Sequence, residues 1–140
     1  MARIQIDLPE SFPVAVELPL YGIHINRGGH LDNAMLLSLV SEARDHFFNF
    51  YGYSDANTEG LVAFTADVAV QYISEGFYRD VMIIDMVASD LNKYGFDLVF
   101  RLTNKATGRE VARGKYGLVF YDRAAKKIAP MPEAFRQKIT

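Results

Sequence analysis

The segment of residues 26–33, with the sequence NRGGHLDN, brings together side chains that could act on a carbonyl group. Apolar residues that recur at helical spacing follow directly after it, so this loop is expected to lie at the N-terminal end of a helix. The first backbone N–H groups of a helix have no partner within the helix and carry a partial positive charge. Such an end suits a bound anion, or an oxygen atom that gains negative charge during a reaction.

His30 is the side chain of this loop best suited to chemistry. A neutral imidazole can polarise a carbonyl group or activate water near neutral pH; the alternative is a histidine that only hydrogen-bonds the loop backbone. Gly28 and Gly29 allow backbone angles that other residues avoid, which could aim an N–H group at an oxyanion or simply form a turn. Asn26 could orient water or substrate, and asparagine is also a common turn residue.

Glu42 is the carboxylate that we consider as a general base. It falls within the helical pattern, where it could act at a boundary between subunits or be a solvated neighbour of Arg44. Ser41 is not expected to be a nucleophile, because no arrangement of serine, histidine and acid is recognisable. The three histidines lack a metal spacing such as H-E-x-x-H and the chain has no cysteine, so no metal is expected. No redox cofactor is expected either.

Composition indicates one globular domain over residues 1–140. Half of the residues are hydrophobic and 23% are charged, and the formal net charge is -2. No basic patch argues for nucleic acid and no apolar run is long enough to span a bilayer. The N-terminus lacks the apolar core of a signal peptide, so we expect a cytoplasmic protein that binds neither nucleic acid nor membranes.

A helix is predicted over residues 34–51, followed by Gly52 as its C-terminal residue. Asp32 or Asn33 is expected to cap its start. The apolar residues recur at helical spacing and should form a buried stripe. This stripe comprises Leu36, Val40, Ala43, Phe47 and Phe50, widened by Leu37 and Phe48.

Strands are predicted over residues 15–25, 62–72, 81–90, 96–102 and 110–122, with a short helical piece near 133–137. Pro19 indicates that the first strand lies at an edge or is irregular. Val62, Phe64 and the alternate residues up to Tyr72 should share one face. Small residues at 112 and 114 should let a helix approach the last strand closely. Hairpin-length connections make the later strands antiparallel, which gives an α+β domain whose sheet buries the helix.

Two motifs carry a resemblance to a known family. Residues 29–33, GHLDN, and residues 42–44, EAR, resemble the pattern D-x-x-G-H-V-N-N followed by a helix that ends in E-x-A-R. The chain resembles the hotdog-fold acyl-CoA thioesterases of the 4-hydroxybenzoyl-CoA thioesterase-like group over about residues 14–132. The resemblance implies an antiparallel sheet of about five strands wrapped around one long central helix.

The resemblance also implies an activity and a site. It implies hydrolysis of acyl-CoA, with the oxyanion held by the backbone N–H of Asn33 and with CoA entering only as part of the substrate. Asn26 and His30 would position the water or the carbonyl, and Glu42 would be the leading base. It implies a homodimer, or a homotetramer built from dimers, with sites at the subunit interface. The substrate-binding residues are then Gly29, with Phe64 and Tyr72 on a face that lines an acyl tunnel.

Two positions depart from the family pattern. Asn26 stands where the pattern has aspartate, and Ser41 stands where many relatives have glutamate. A neutral amide cannot act as a base, which favours the alternative of a non-catalytic protein that binds acyl-CoA or an acyl carrier on the same fold. A dehydratase or hydratase fits less well, because no acid–histidine pair is visible in the loop. The cations considered for the CoA phosphates, among which the sequence does not choose, are Arg79, Arg101, Arg113 and Lys115.

Overall fold

The computed structural model describes residues 3–140, and within them the chain forms six strands, two α-helices and one short 3-10 helix. The strands form one antiparallel sheet in the order β1-β3-β4-β5-β2, and β6 pairs with the end of β5. This is the predicted hotdog arrangement, an antiparallel sheet packed against one long helix. The elements are β1 Val14–Pro19, the 3-10 helix Gly22–His24, α1 Asn33–Phe50, β2 Val62–Tyr72, β3 Val81–Ser89, β4 Gly95–Asn104, β5 Glu110–Asp122, β6 Lys127–Ile128 and α2 Glu133–Ile139.

The helix α1 lies where its apolar period predicts, and the sheet covers its buried side. Its core residues Leu36, Val40 and Ala43 are at most 2% exposed. The predicted burial of Phe47 and Phe48 is confirmed, since both are fully buried, but the prediction for Phe50 is wrong, because that residue is 62% exposed. Phe135 of α2 stacks on Phe48 and helps to enclose it.

The strands β4 and β5 alternate as predicted. The side chains of β4 that face α1 are at most 1% exposed, and the corresponding residues of β5 are also buried. Gly114 is indeed a point of close approach, but the neighbouring strands approach it rather than the helix. A Cβ atom there would overlap with the carbonyl oxygen of Ala69 in β2 and lie 2.6 Å from the ring of Phe100 in β4, so the absent side chain leaves room for both.

The first predicted strand is too long. Strand β1 ends at Pro19, and the chain then turns through the 3-10 helix before Ile25 forms a single bridge with Leu31. The edge position indicated by Pro19 is confirmed, because β1 pairs only with β3.

A β-bulge divides the strand β2. The register against β5 shifts between Thr65 and Asp67, so one extra residue is inserted there. An inserted residue moves all later side chains to the opposite face. Phe64, before the bulge, therefore lies on the outer face, whereas Val68 and Tyr72 lie on the face toward α1. The prediction that the alternate residues from 62 to 72 share one face is wrong.

The tail forms α2, which extends two residues beyond the predicted piece. Within residues 3–140, neither α-helix combines the length and the apolar character needed to cross a membrane.

Candidate active site

A cleft of about 430 Å³ opens at the N-terminal end of α1. One wall is the loop that leads into the helix, and the other is the end of β2 with the residues that follow it. Four of the predicted site residues line it: Asn26, His30, Asn33 and Tyr72. The remaining lining residues are Leu31, Leu36, Ile73, Ser74, Glu75 and Val111.

Asn26 shapes the loop through its side chain and its backbone. Its Oδ1 accepts hydrogen bonds from the N–H of Gly28 at 2.9 Å and of His30 at 3.5 Å. Its own N–H donates to the carbonyl oxygen of His30 at 2.9 Å. These bonds close a tight turn, so the turn-forming function considered for Asn26 is present. A direct contact with substrate stays a prediction.

His30 lies half-buried on the wall of the cleft. Its Nδ1 is 3.4 Å from the carbonyl oxygen of Leu31, which can only accept a hydrogen bond. In the neutral imidazole this contact puts the proton on Nδ1 and leaves Nε2 as the acceptor. Gly28 packs against the ring, since a Cβ atom there would lie 3.2 Å from Nε2. Gly29 has a φ of 85°, which favours glycine at this bend. Gly28 thus leaves room for the imidazole beside the loop, and Gly29 allows the bend.

The first backbone N–H of α1, that of Asn33, has no hydrogen-bond acceptor among the described residues. The carboxylate of Asp32 accepts from the N–H groups of Ala34 and Met35 at 2.9 and 3.1 Å, so Asp32 is the N-terminal cap. The carbonyl oxygen of Asp32 accepts from Leu36 N–H. Among residues 3–140, no acceptor is bonded to the N–H of Asn33. One donor at the positive end of the helix therefore remains available beside the cleft.

Tyr72 joins the end of β2 to the start of the helix. Its hydroxyl donates to the carbonyl oxygen of Asn33 at 3.0 Å. Burial raises the pKa of Tyr72 above its ordinary value, and the negative charge of Asp32 raises it further. The hydroxyl therefore stays protonated at neutral pH and acts as a donor. The structure places Tyr72 at the cleft, although its contact with a substrate stays a prediction.

Phe64 does not line this cleft. It lies on the outer face of the sheet, where its ring stacks on Tyr121 with 4.5 Å between centroids. The pairing of Phe64 with Tyr72 on one face of an acyl tunnel is therefore wrong, and the bulge in β2 is the reason.

Glu42 is also outside this cleft. Its side chain is 67% exposed and lies 3.6 Å from Nε2 of His46, one turn along α1. It borders a separate hollow between α1 and the chain after β1, beside Tyr21 and His24. Within one chain, Glu42 and Asn26 thus line different hollows. The function of Glu42 as a base stays a prediction.

Three of the four cations considered for CoA already have acidic partners. Arg101 pairs with Asp85, Arg113 with Glu110, and Lys115 with Asp67 and Asp97. Arg79 instead lies over the ring of Tyr78, with 5.2 Å to the centroid.

The sequence pattern missed Ser74 and Glu75 on the far wall of the cleft. They follow β2 in what reads as a simple turn, and no periodic signal marks them. Only the long-range pairing that brings the end of β2 to the start of α1 places them here. Over the described part of the chain, no three His, Cys, Asp or Glu side chains come together in a way that could hold a metal ion.

Comparisons with known proteins give the same fold. Residues 23–139 match the family model of the thioesterase-like superfamily. A 1,4-dihydroxy-2-naphthoyl-CoA thioesterase from Synechocystis superposes with a TM-score of 0.79 at 14% identity, covering 89% of this chain and 93% of that one. A gentisyl-coenzyme A thioesterase gives 0.81 at 16%, covering 91% and 100%. A thioesterase-superfamily protein from Jannaschia gives 0.83 at 17%, covering 94% and 83%. No curated protein matches the chain.

Proposed function

The chain belongs to the thioesterase-like superfamily, and we propose that it hydrolyses acyl-CoA thioesters to a carboxylic acid and free CoA. The observation that carries this proposal is the open N–H of Asn33, which borders a cleft shared with Asn26 and His30. A donor that is fixed before the reaction stabilises an oxyanion without reorganising, and this is often the largest single contribution to catalysis of acyl transfer.

The proposed reaction is attack of water on the thioester carbon. The carbonyl oxygen takes up an electron pair and accepts a hydrogen bond from the N–H of Asn33. His30, with Nε2 free to accept, holds the water or the carbonyl in place, while Asn26 keeps the loop in shape. The carbonyl then re-forms, the carbon–sulfur bond breaks with its electron pair on sulfur, and the proton that water gives up passes to that sulfur, so CoA leaves as the thiol.

We further propose that the enzyme is a homodimer joined along β2. This strand lies at one edge of the sheet, and exposed apolar side chains follow its length: Phe64 is 42%, Val68 41% and Tyr72 53% exposed. An open edge with apolar side chains favours pairing with another strand. Because the cleft lies at the end of β2, a partner paired there would border it and narrow its mouth. Sedimentation equilibrium tests this, and a monomer at micromolar concentration would contradict it.

The substrates to test first are aromatic acyl-CoAs. The similar structures include enzymes for gentisyl-CoA and dihydroxynaphthoyl-CoA. The cleft combines apolar walls from Leu31, Leu36 and Val111 with polar groups at the helix end, which suits a compact ring that carries polar substituents.

Release of free thiol from a panel of aromatic and straight-chain acyl-CoAs tests the activity. We expect turnover above the uncatalysed rate for at least one substrate and a fall of about 10²-fold in His30→Ala, as for loss of a group that positions the reacting atoms. Glu42→Gln belongs in the same panel, because it tests the base predicted from the sequence.

One observation favours the non-catalytic alternative. Asn26 replaces the acid of the family pattern, and its Oδ1 is engaged by two backbone amides. Tight binding of acyl-CoA with no thiol release across the panel would favour a binding protein and contradict the hydrolase.

A further inference from the structure

We propose that Glu75 is the general base of the proposed thioesterase; this inference rests on the proposed hydrolysis. Among the residues that line the cleft, Glu75 is the one that carries a carboxylate. The nearby carboxylate of Asp32 already accepts two amide hydrogen bonds as the cap of α1. The cleft therefore holds one acid free to take a proton from water, in a protein whose loop has asparagine at position 26.

The backbone on the N-terminal side of Glu75 is fixed to β5. The N–H groups of Ile73 and Ser74 both donate to the carbonyl oxygen of Val111, at 2.9 and 3.1 Å. The hydroxyl of Ser74 donates to the carbonyl oxygen of Glu110 at 2.6 Å. Three hydrogen bonds to one strand hold this segment in a single position.

The backbone on the C-terminal side of Glu75 is fixed to the loop of residues 26–33, which leads into α1. The carbonyl oxygen of Gly76 accepts from the N–H of Leu31 at 2.7 Å, and Leu31 directly follows His30. Gly76 is buried, and a Cβ atom there would lie 3.1 Å from Leu20. Glu75 thus has an exposed side chain on a backbone that is held in place on both sides. One of these attachments is to the loop that carries His30. Such anchoring is what a catalytic group needs.

The carboxylate of Glu75 also differs from its neighbours in having no partner. Glu110 is bound by Arg113, and Glu42 lies beside His46. Within residues 3–140, no Lys, Arg or His forms an ion pair with Glu75. Ion pairing would hold the acid in its charged form and make it a weaker base, whereas an unpaired carboxylate can accept a proton.

The step balances as follows. Water gives one proton to the carboxylate of Glu75 while its oxygen forms a bond to the thioester carbon. The carbonyl π electrons move to the oxygen, which the N–H of Asn33 holds. When the carbonyl re-forms, the carbon–sulfur bond breaks, sulfur keeps the electron pair, and the proton on Glu75 passes to the thiolate. The products are a carboxylic acid and CoA thiol.

The test compares Glu75→Gln and Glu75→Ala with Glu133→Gln, an exposed glutamate in α2 remote from the cleft. We expect kcat to fall by about 10²-fold or more in both Glu75 variants, with KM little changed, and to stay at the wild-type value in Glu133→Gln. Formate added to Glu75→Ala should restore part of the rate, because it supplies the missing carboxylate. A residue that only supports the fold would show no such rescue. Thermal unfolding confirms that each variant is folded.

Three results would overturn the inference. Wild-type hydrolysis with an unchanged rate in Glu75→Gln would reject Glu75 and leave the proposed function standing. So would a large loss in Glu42→Gln alone, which would assign the base to the helix. Absence of hydrolysis in the wild-type protein across the whole panel would reject both proposals together.

Discussion

At its C-terminal end α1 is enclosed by aromatic side chains, whereas at its N-terminal end it opens into a cleft. Phe47 and Phe48 are fully buried, and Phe48 stacks on Phe135 with 5.3 Å between ring centroids. Fifteen residues earlier, Asn33 is exposed and its N–H has no acceptor among the described residues 3–140. One helix thus combines a closed, apolar end with an open, polar one.

In the proposed function, stability and chemistry are located at opposite ends of the helix. Burial of large rings at one end supplies the hydrophobic free energy that fixes α1 on the sheet. An open N–H at the other end is solvated in the free protein and costs little there. In the proposed reaction an acyl group displaces that water, and the same N–H then donates in a drier environment, where electrostatic interactions are stronger.

The largest effect on stability is expected for Phe48→Ala. Removing a fully buried ring should lower the free energy of unfolding by about 3–5 kcal/mol, because it leaves a cavity between α1 and α2. Phe50→Ala is the matched control: the same side chain is 62% exposed two residues later, and its loss should change stability by about 0.5 kcal/mol or less. Urea unfolding measures both. Equal losses of stability in the two variants would contradict the claim that Phe48, and not Phe50, is enclosed at the C-terminal end of α1.

A smaller effect is expected at the open end, for Asp32. Asp32→Ala removes the acceptor for two backbone amides and should cost about 1 kcal/mol of stability. Asp32→Asn retains a capping oxygen and should lower the free energy of unfolding by only ~0.3 kcal/mol. Chemical denaturation of the pair checks this. If asparagine and alanine destabilised the protein equally, the capping function would be wrong.

The smallest effect is expected for Tyr72→Phe, which removes the hydrogen bond to the carbonyl of Asn33. The exposed bond should contribute about 0.5–1 kcal/mol. Because folding raises the pKa of Tyr72, the folded state favours the protonated hydroxyl. The stability difference from wild type should therefore be constant below about pH 10, the ordinary tyrosine value, and shrink as the pH rises through the raised value. Unfolding measured from pH 7 to pH 11 tests this, and a difference that grows above pH 10 would contradict it.

Much of the fold could be predicted because its periodic signals are strong. The apolar period of α1 and the alternation along β4 and β5 both follow from burial of one face. The failures occur where a contact distant in sequence decides the outcome. Phe50 fits the apolar period of α1 and is nevertheless 62% exposed, whereas Phe48 stacks on Phe135 of α2, a contact that the helix sequence alone does not reveal.

The bulge in β2 shows a second kind of failure. An alternating pattern predicts one face only if the register is unbroken, and one extra residue after Thr65 reverses the faces. Phe64 was therefore predicted on the wrong side, whereas Tyr72 lies at the cleft.

The candidate site divides in the same way. Asn26, His30 and Asn33 are close in sequence and belong to one local motif, so their meeting at the helix start could be predicted. Glu75 reaches the same cleft only through pairing of its segment with β5 and with Leu31. A single sequence gives no local sign of that pairing.

The central claim is that the N–H of Asn33 stabilises the oxyanion, and replacement of that residue by proline tests it most directly. Proline removes the N–H but suits the first position of a helix, and the preceding Asp32, with φ -69° and ψ 142°, already has the extended conformation that proline requires. Asn33→Ala is the matched control, because it removes the same side chain and keeps the N–H. We predict that kcat falls by about 10²–10³-fold in Asn33→Pro relative to Asn33→Ala, with both variants folded. Equal rates of acyl-CoA hydrolysis in the two folded variants would contradict the claim.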